Sequence, residues 1–371
     1  MSDDRPRTST RDHQQLREQL TTWLGGRLHD PTVTEFVVPA TNGMSSETIL
    51  FGAEWDDGSD TRASGRFVLR LPPDPASEPV FPVYDMPRQF NVMRLVAERT
   101  DVAIPPTVWL ETDPGPLGAA FFVMERIDGV VPPDLMPYTF GDNWFFDAAS
   151  ADQARLQQAS IEALAKIHSI PASDPAAAFL VIDAPGDTPL QRHVNDQRSF
   201  YEWVAADGVR SPLIERAFIW LDDNWPEAEG DAVVSWGDAR IGNIMYRDFV
   251  PVAVLDWEMA GHGPREIDLA WMIFLHRFFQ DITDMMGMPG MPDFMRASDV
   301  AAAYEAASAY APRDLQWFML YAALRHAIVM FRITRRQIMF GEAEMPENPD
   351  HAFIHHATLA AMIDGTYWVK L

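Results

Sequence analysis

Three oxygen-bearing side chains define the chemistry this 371-residue sequence could perform. Asp238 and Asn243 lie in Val233-Val-Ser-Trp-Gly-Asp-Ala-Arg-Ile-Gly-Asn-Ile-Met-Tyr246, and Asp256 in Ala253-Val-Leu-Asp-Trp-Glu258. Asn243 follows Asp238 by five positions, and Asp256 follows Asn243 by thirteen. A short β-like run delivers Asp238 into a loop where Gly237 and Gly242 allow tight turning. A second β-like run ends on Asp256 and returns a carboxylate beside that loop. Two carboxylates and an amide oxygen meeting at strand ends suit Mg²⁺ together with a base for a hydroxyl. Phosphoryl transfer needs these parts: metal ions against the phosphate charge and an Asp that orients the attacking oxygen.

Two textures surround these residues. Between Thr34 and Arg126 the chain reads as short β-rich runs at 34–38, 47–51, 66–71 and 120–125, separated by Gly, Pro and Asp clusters. One helical pattern interrupts them at 87–99, with Phe90, Val92, Met93, Val96 and Ala97 at helical spacing. Strands with one embedded helix predict an α+β unit around an antiparallel sheet. After Asp128 the pattern turns helical, over 152–168, 190–206, 212–222, 266–279, 298–309 and 314–338. Only the pair 231–235 and 252–256 is strongly β-like there. The expected organisation is an N-terminal extension with a helix (1–30), a β-rich lobe (31–127) and a helical lobe (128–371), with no fixed-period repeat. Segments 131–147, rich in Pro and aromatics, and 285–295, with five Met, read as loops packed by their own apolar side chains. Their alternative reading is a wall or lid of an acceptor site, since Met adapts to varied surfaces.

Composition narrows the partners. With 29 Lys+Arg against 54 Asp+Glu the net charge is −25, which opposes nucleic acid and anionic membranes as principal partners. The absence of Cys excludes disulfides, Cys-ligated zinc, iron–sulfur clusters and thiol catalysis. The first nineteen residues lack the apolar run of a signal peptide. The most apolar stretches, Leu269–Leu275 and Trp317–Met330, are broken by His276 and by Arg325 and His326, so a cytoplasmic protein is expected.

The D-x4-N…D spacing also occurs in the protein-kinase catalytic loop and metal-binding strand. Over roughly 30–340 the chain resembles the aminoglycoside phosphotransferase-like branch of that superfamily, whose loop reads H-G-D-x4-N before an (I/L)-D-(W/F)-E strand. It is most similar to the subgroup related to the kinase-like region of some acyl-CoA dehydrogenase fusions. The resemblance implies a protein-kinase-like bilobal fold and an ATP- and Mg²⁺-dependent transfer of phosphate to a small-molecule hydroxyl. Carried over, Asp238 is the catalytic base, Asn243 and Asp256 bind Mg²⁺, and Asp268 in Glu266-Ile-Asp-Leu-Ala-Trp271 is a structural Asp opening a helix. Trp236 departs from the pattern, which usually has His there, and is expected to support the loop by packing.

The same resemblance assigns the nucleotide side. Asn42, Gly43, Ser45 and Ser46 in Thr41-Asn-Gly-Met-Ser-Ser46 match the phosphate-covering loop, where hydroxyls and N–H groups reach phosphate oxygens. Arg70 stands where kinases carry the strand Lys, and a guanidinium can hold phosphate bidentately. The helix Glu that pairs with that cation is replaced by Gln89. Met124-Glu-Arg-Ile127 matches the inter-lobe linker, with the Glu125 carbonyl and the Ile127 N–H for adenine, and Val68, Met124, Met245 and Leu255 lining the base. His168 is expected to be structural, the acidic group Asp222, Asp223, Glu227, Glu229 and Asp231 a solvated face, and His351, His355 and His356 no metal site. For the acceptor, acidity favours a cation and the aromatic and Met-rich segments an apolar molecule. An aminoglycoside and another metabolite both stay open. The rival readings are a nucleotide-binding regulator with little turnover and an acidic interaction protein without catalysis.

Overall fold

A computed structural model describes residues 11–39, 46–134 and 136–370. Contacts divide the chain into two compact units, Met1–Arg94 with Pro105–Ile127 and Leu95–Ile104 with Asp128–Leu371. The division falls within one helix.

The first unit contains α1 (His13–Leu24), β1 (His29–Val37), β2 (Glu47–Asp56), β3 (Ala63–Leu71), the start of α2 (Met86–Arg99), β4 (Thr107–Glu111) and β5 (Phe121–Glu125). The strands form one antiparallel sheet in the order β1-β2-β3-β5-β4. Asp12 caps α1, its side chain accepting from the N–H groups of Gln14 and Gln15. Leu16, Leu20, Trp23 and Leu24 recur at helical spacing and pack on one sheet face with Phe51, Phe67, Leu69, Phe121 and Val123. Alternation sends Val68, Arg70, Phe122 and Met124 to the other face, where Phe90 of α2 meets Phe122 edge-on at 6.1 Å.

The second unit holds α3 (Ser150–Ile167), α4 (Pro189–Val204), α5 (Pro212–Asp223), β6 (Ala232–Ser235), β7 (Ile244–Arg247), β8 (Val250–Val254), β9 (Gly261–Pro264), α6 (Glu266–Met285), α7 (Ala297–Ser308), α8 (Leu315–Met339) and α9 (His356–Ile363). Its core is built on α6 and α8, both buried along most of their length. The α+β class stands as expected, with two local corrections. Of the two β-like runs, the first is β6, which pairs with β9, and the second is β8, which pairs with β7. Strand β8 stops at Val254, so Asp256 lies beyond it in a loop. Helix α6 continues past 279 to Met285 and absorbs the start of the Met-rich segment. Among the described residues no helix is long and apolar enough to cross a membrane.

Candidate active site

The loop between β6 and β7 is fixed from beneath by one carboxylate. Asp268, in the first turn of α6, is fully buried and accepts from the Ser235 hydroxyl (2.9 Å) and the N–H groups of Trp236 (2.7 Å) and Gly237 (2.8 Å). His168, at the C-terminus of α3, meets its remaining face through Nε2 (2.9 Å), and His168 Nδ1 bonds the Tyr304 hydroxyl of α7 (2.8 Å). Burial opposes the charge, but His168 and the two N–H groups outweigh it and hold the Asp268 carboxyl below its usual value. Gly237 has φ +91°, and a Cβ there would lie 2.1 Å from the Met259 carbonyl oxygen, so only glycine fits.

Trp236 occupies the position of the expected His and ties the loop to the segment after β8. It is buried, and its indole N–H donates to the carbonyls of Leu255 (2.8 Å) and Asp256 (3.2 Å). Its ring lies 5.9 Å from that of Trp257. The expected support by packing is therefore joined by hydrogen bonding.

Asp238 is held by three donors. Oδ1 accepts from the Trp271 indole N–H (2.6 Å), and Oδ2 accepts from Asn243 Nδ2 (2.6 Å) and Arg240 Nε (3.2 Å). Arg240 also pairs with Asp134. Burial works against the Arg240 charge, but the carboxylates of Asp238, Asp134 and Asp256 raise its pKa further above the ordinary value. Gly242 makes room for this pair, since a Cβ there would stand 2.6 Å from Arg240 Nη1 and from Asp134 Oδ2. Behind Trp271, the buried Arg325 of α8 stacks its guanidinium 4.4 Å from the ring centroid and donates to the Gly237 carbonyl (3.0 Å).

Asn243 and Asp256 meet the same loop. Asn243 Nδ2 donates to both the carbonyl and the carboxylate of Asp238, and the Asn243 carbonyl accepts from the Leu255 N–H (2.9 Å). With Nδ2 committed, the amide oxygen is the Asn243 atom available to a cation. Asp256 adopts φ +56°, a left-handed conformation unusual for a residue with a Cβ. An amide oxygen and one carboxylate are the hard oxygen donors Mg²⁺ takes when phosphates complete its shell. Among the described residues no group of three or more His, Asp or Glu could hold a metal alone. Met245 sits on β7, and Leu255 follows β8.

In the first unit Val68 pairs with Met124 and Arg70 with Phe122 across β3 and β5, which brings Val68, Arg70 and Met124 onto one sheet face. Arg70 Nη1 donates to Thr48 Oγ1 (2.6 Å). Ser46, just before β2, is buried, Glu125 ends β5, and Ile127 closes the unit. Asn42, Gly43 and Ser45 lie outside the described residues. Gln89 on α2 is buried. Residue spacing alone assigns no role to Arg240, Asp134, Trp271 or Arg325. Arg240 alone stood inside the motif, where its charge beside Asp238 was a usable signal.

Residues 38–317 match the model of the phosphotransferase enzyme family. The chain belongs to this family. Its curated relatives include a probable acyl-CoA dehydrogenase of Arabidopsis thaliana, 28% identical over 240 residues and matched over 62% of this chain and 27% of that protein. The chain spans about a quarter of the length of the curated relatives it matches. Among solved structures, one from Ralstonia eutropha, assigned as an aminoglycoside phosphotransferase, superposes with a TM-score of 0.65 at 20% identity, covering 95% of this chain and 98% of that one. Aminoglycoside phosphotransferase APH(4)-Ia, in a ternary complex with AMP-PNP and hygromycin B, gives a TM-score of 0.55 at 14% identity, covering 94% and 97%. The protein has the kinase-like fold of these phosphotransferases, as the sequence predicted, and it carries the kinase-like region that its acyl-CoA dehydrogenase relatives share.

Proposed function

We propose that this member of the phosphotransferase family transfers the γ-phosphate of ATP to a hydroxyl of a small molecule. The observation that carries the reading is the Asp238 carboxylate, fixed by Trp271, Asn243 and Arg240 and joined through Asn243 to the segment bearing Asp256. Asp238 Oδ1 has one donor and Oδ2 has two, so Oδ1 keeps the more open lone pair. It receives the hydroxyl proton as the acceptor oxygen bonds phosphorus and the bond to the ADP oxygen breaks. Asn243 and Asp256 would hold Mg²⁺, which would supply positive charge against the phosphate oxygens. Arg70 and the 42–46 segment serve the phosphates, and Val68, Met124, Glu125, Ile127, Met245 and Leu255 serve the base. Related structures with AMP-PNP and hygromycin B bound support a nucleotide and a hydroxyl-bearing acceptor.

The test is turnover with and without Mg²⁺. General-base assistance contributes about 10²–10⁴-fold, so Asp238→Ala should lower kcat at least that far while ATP binding by calorimetry stays within about twofold. Asp256→Ala should remove the Mg²⁺-dependent activity, and equal turnover in that variant would refute the metal assignment. One observation favours the regulator reading. Gln89 stands where a cation-pairing Glu is expected and its Nε2 is buried without a partner among the described residues. Thermal stabilisation by ATP with no turnover on any of a broad set of hydroxyl compounds would select that reading.

A further inference from the structure

A cavity of about 520 Å³ lies between α3 and α7, beside Arg265 at the start of α6, within the size range of small-ligand sites. Asp238, Asn243 and Asp256 do not line it. Its buried wall is His168 and Tyr304, the pair that braces Asp268. Ala165, Ala306 and Ala307 keep the space open, because their side chains end at Cβ. Among the described residues no Leu, Ile, Val, Met or Phe lines it, so a purely apolar ligand would bury little apolar surface there.

The polar groups of the cavity divide into acceptors and one free cation. Gln158 Nε2 donates to Glu162 Oε1 at 2.9 Å, which leaves Gln158 Oε1 and Glu162 Oε2 to accept. Ser169 and Ser308 spend their hydroxyl hydrogens on the carbonyls of Lys166 (2.6 Å) and Tyr304 (2.7 Å), so their oxygens also present lone pairs. A wall of acceptors calls for a ligand with several O–H donors. The cations differ from each other. Lys166 is neutralised by Asp101 at 2.8 Å. Arg265 donates to the Asp231 carbonyl (3.2 Å) and stacks 4.6 Å from the Tyr310 ring centroid, and among the described residues no carboxylate pairs with it. A guanidinium with open N–H groups takes an oxyanion bidentately. On a chain of net charge −25, an arginine left without a carboxylate at a cavity selects for an anion.

We propose that this cavity binds a polyhydroxylated organic anion, with its phosphate or carboxylate on Arg265 and its hydroxyls donated to Gln158, Glu162, Ser169 and Ser308. The site is separate from the phosphotransferase reading and stands or falls without it. Titration calorimetry of the full chain without nucleotide tests it, using glucose 6-phosphate, gluconate, glucose and inorganic phosphate as probes. At least one of the two sugar anions should bind saturably at one site, tenfold or more tighter than glucose and than inorganic phosphate. The tighter of the two identifies the anionic group. Arg265→Gln should weaken that probe at least tenfold and bring it level with glucose. Ala307→Trp, at an exposed position of α7, fills the cavity and should weaken the same probe at least tenfold with an unchanged melting temperature. No saturable binding of either sugar anion, glucose or inorganic phosphate binding as tightly, or unaltered binding in folded Arg265→Gln or Ala307→Trp proteins would each overturn the proposal.

Discussion

Asp238 has its orientation set by two neighbours in its own loop, Arg240 and Asn243, and by one side chain far along the chain, Trp271, 33 positions away on α6. A hydrogen bond to a charged group contributes about 1.5–3 kcal/mol, and about 1.4 kcal/mol is a tenfold change in rate. Trp271→Phe keeps a ring for Arg325 to stack on and removes the N–H. We expect kcat to fall tenfold or more while KM for ATP and the circular dichroism spectrum stay constant. An unchanged kcat would mean Asn243 and Arg240 suffice to hold the carboxylate. This residue also marks how far the site could be read from sequence. Asp238 and Asn243 are five apart in one loop, so their spacing announced them. Trp271 and Arg325 act on that loop from separate helices, and nothing local distinguishes them from ordinary core residues of amphipathic α6 and α8. Trp236 was legible as a support, but its indole bonds to two carbonyls required the fold.

At the scale of elements, Asp268 is the joint on which β6, α3, α6 and α7 converge. Asp268→Asn replaces one acceptor oxygen by an amide N–H₂ facing donors and takes the carboxylate away from Ser235, Trp236, Gly237 and His168. Buried donors that lose a charged acceptor cost about 3–5 kcal/mol together. At roughly 2–4 °C per kcal/mol for a unit of this size, calorimetry should record a fall of roughly 6–20 °C in the melting temperature. A fall of under about 2 °C would show that the amide replaces the carboxylate. The long helices and the central strands were legible because their apolar periodicity extends over enough residues to be distinctive. Strands β4, β7 and β9 were not. Each has four or five residues, and β9 reads Gly261-His-Gly-Pro264, a composition that opposes strand formation. It is extended because β6 pairs with it, a long-range cause that no window of sequence contains.

For the whole molecule, the strongest consequence of the fold is a dependence of stability on pH set by buried histidines. Burial, assisted by Arg325, lowers the His193 pKa to about 3; burial, assisted by Arg277, lowers that of His276 to about 3; burial lowers that of His355 to about 4 and that of His326 well below its ordinary value. In the unfolded chain each titrates near about 6.5. Between these limits the unfolded state binds more protons, so stability falls as pH falls from about 6.5, by up to about 1.4 kcal/mol per pH unit for each group. The depressed Asp268 acts with the same sign in a lower window, losing its contribution only as pH drops below about 3.9. The net charge of −25 pulls the other way, because approach to the isoelectric point near 4.6 relieves self-repulsion. A melting curve against pH therefore sums opposing effects, and a substitution separates them. His276 accepts from the Tyr138 hydroxyl at Nδ1 and donates to the Met291 carbonyl from Nε2, two bonds a glutamine amide can reproduce without titrating. His276→Gln should match the wild type within about 1 kcal/mol near pH 7.5 and lose less stability between pH 6.5 and 4.5. Denaturant melts at constant ionic strength would read the difference in slope, and parallel curves would show that His276 takes up its proton in the folded state as readily as in the unfolded chain.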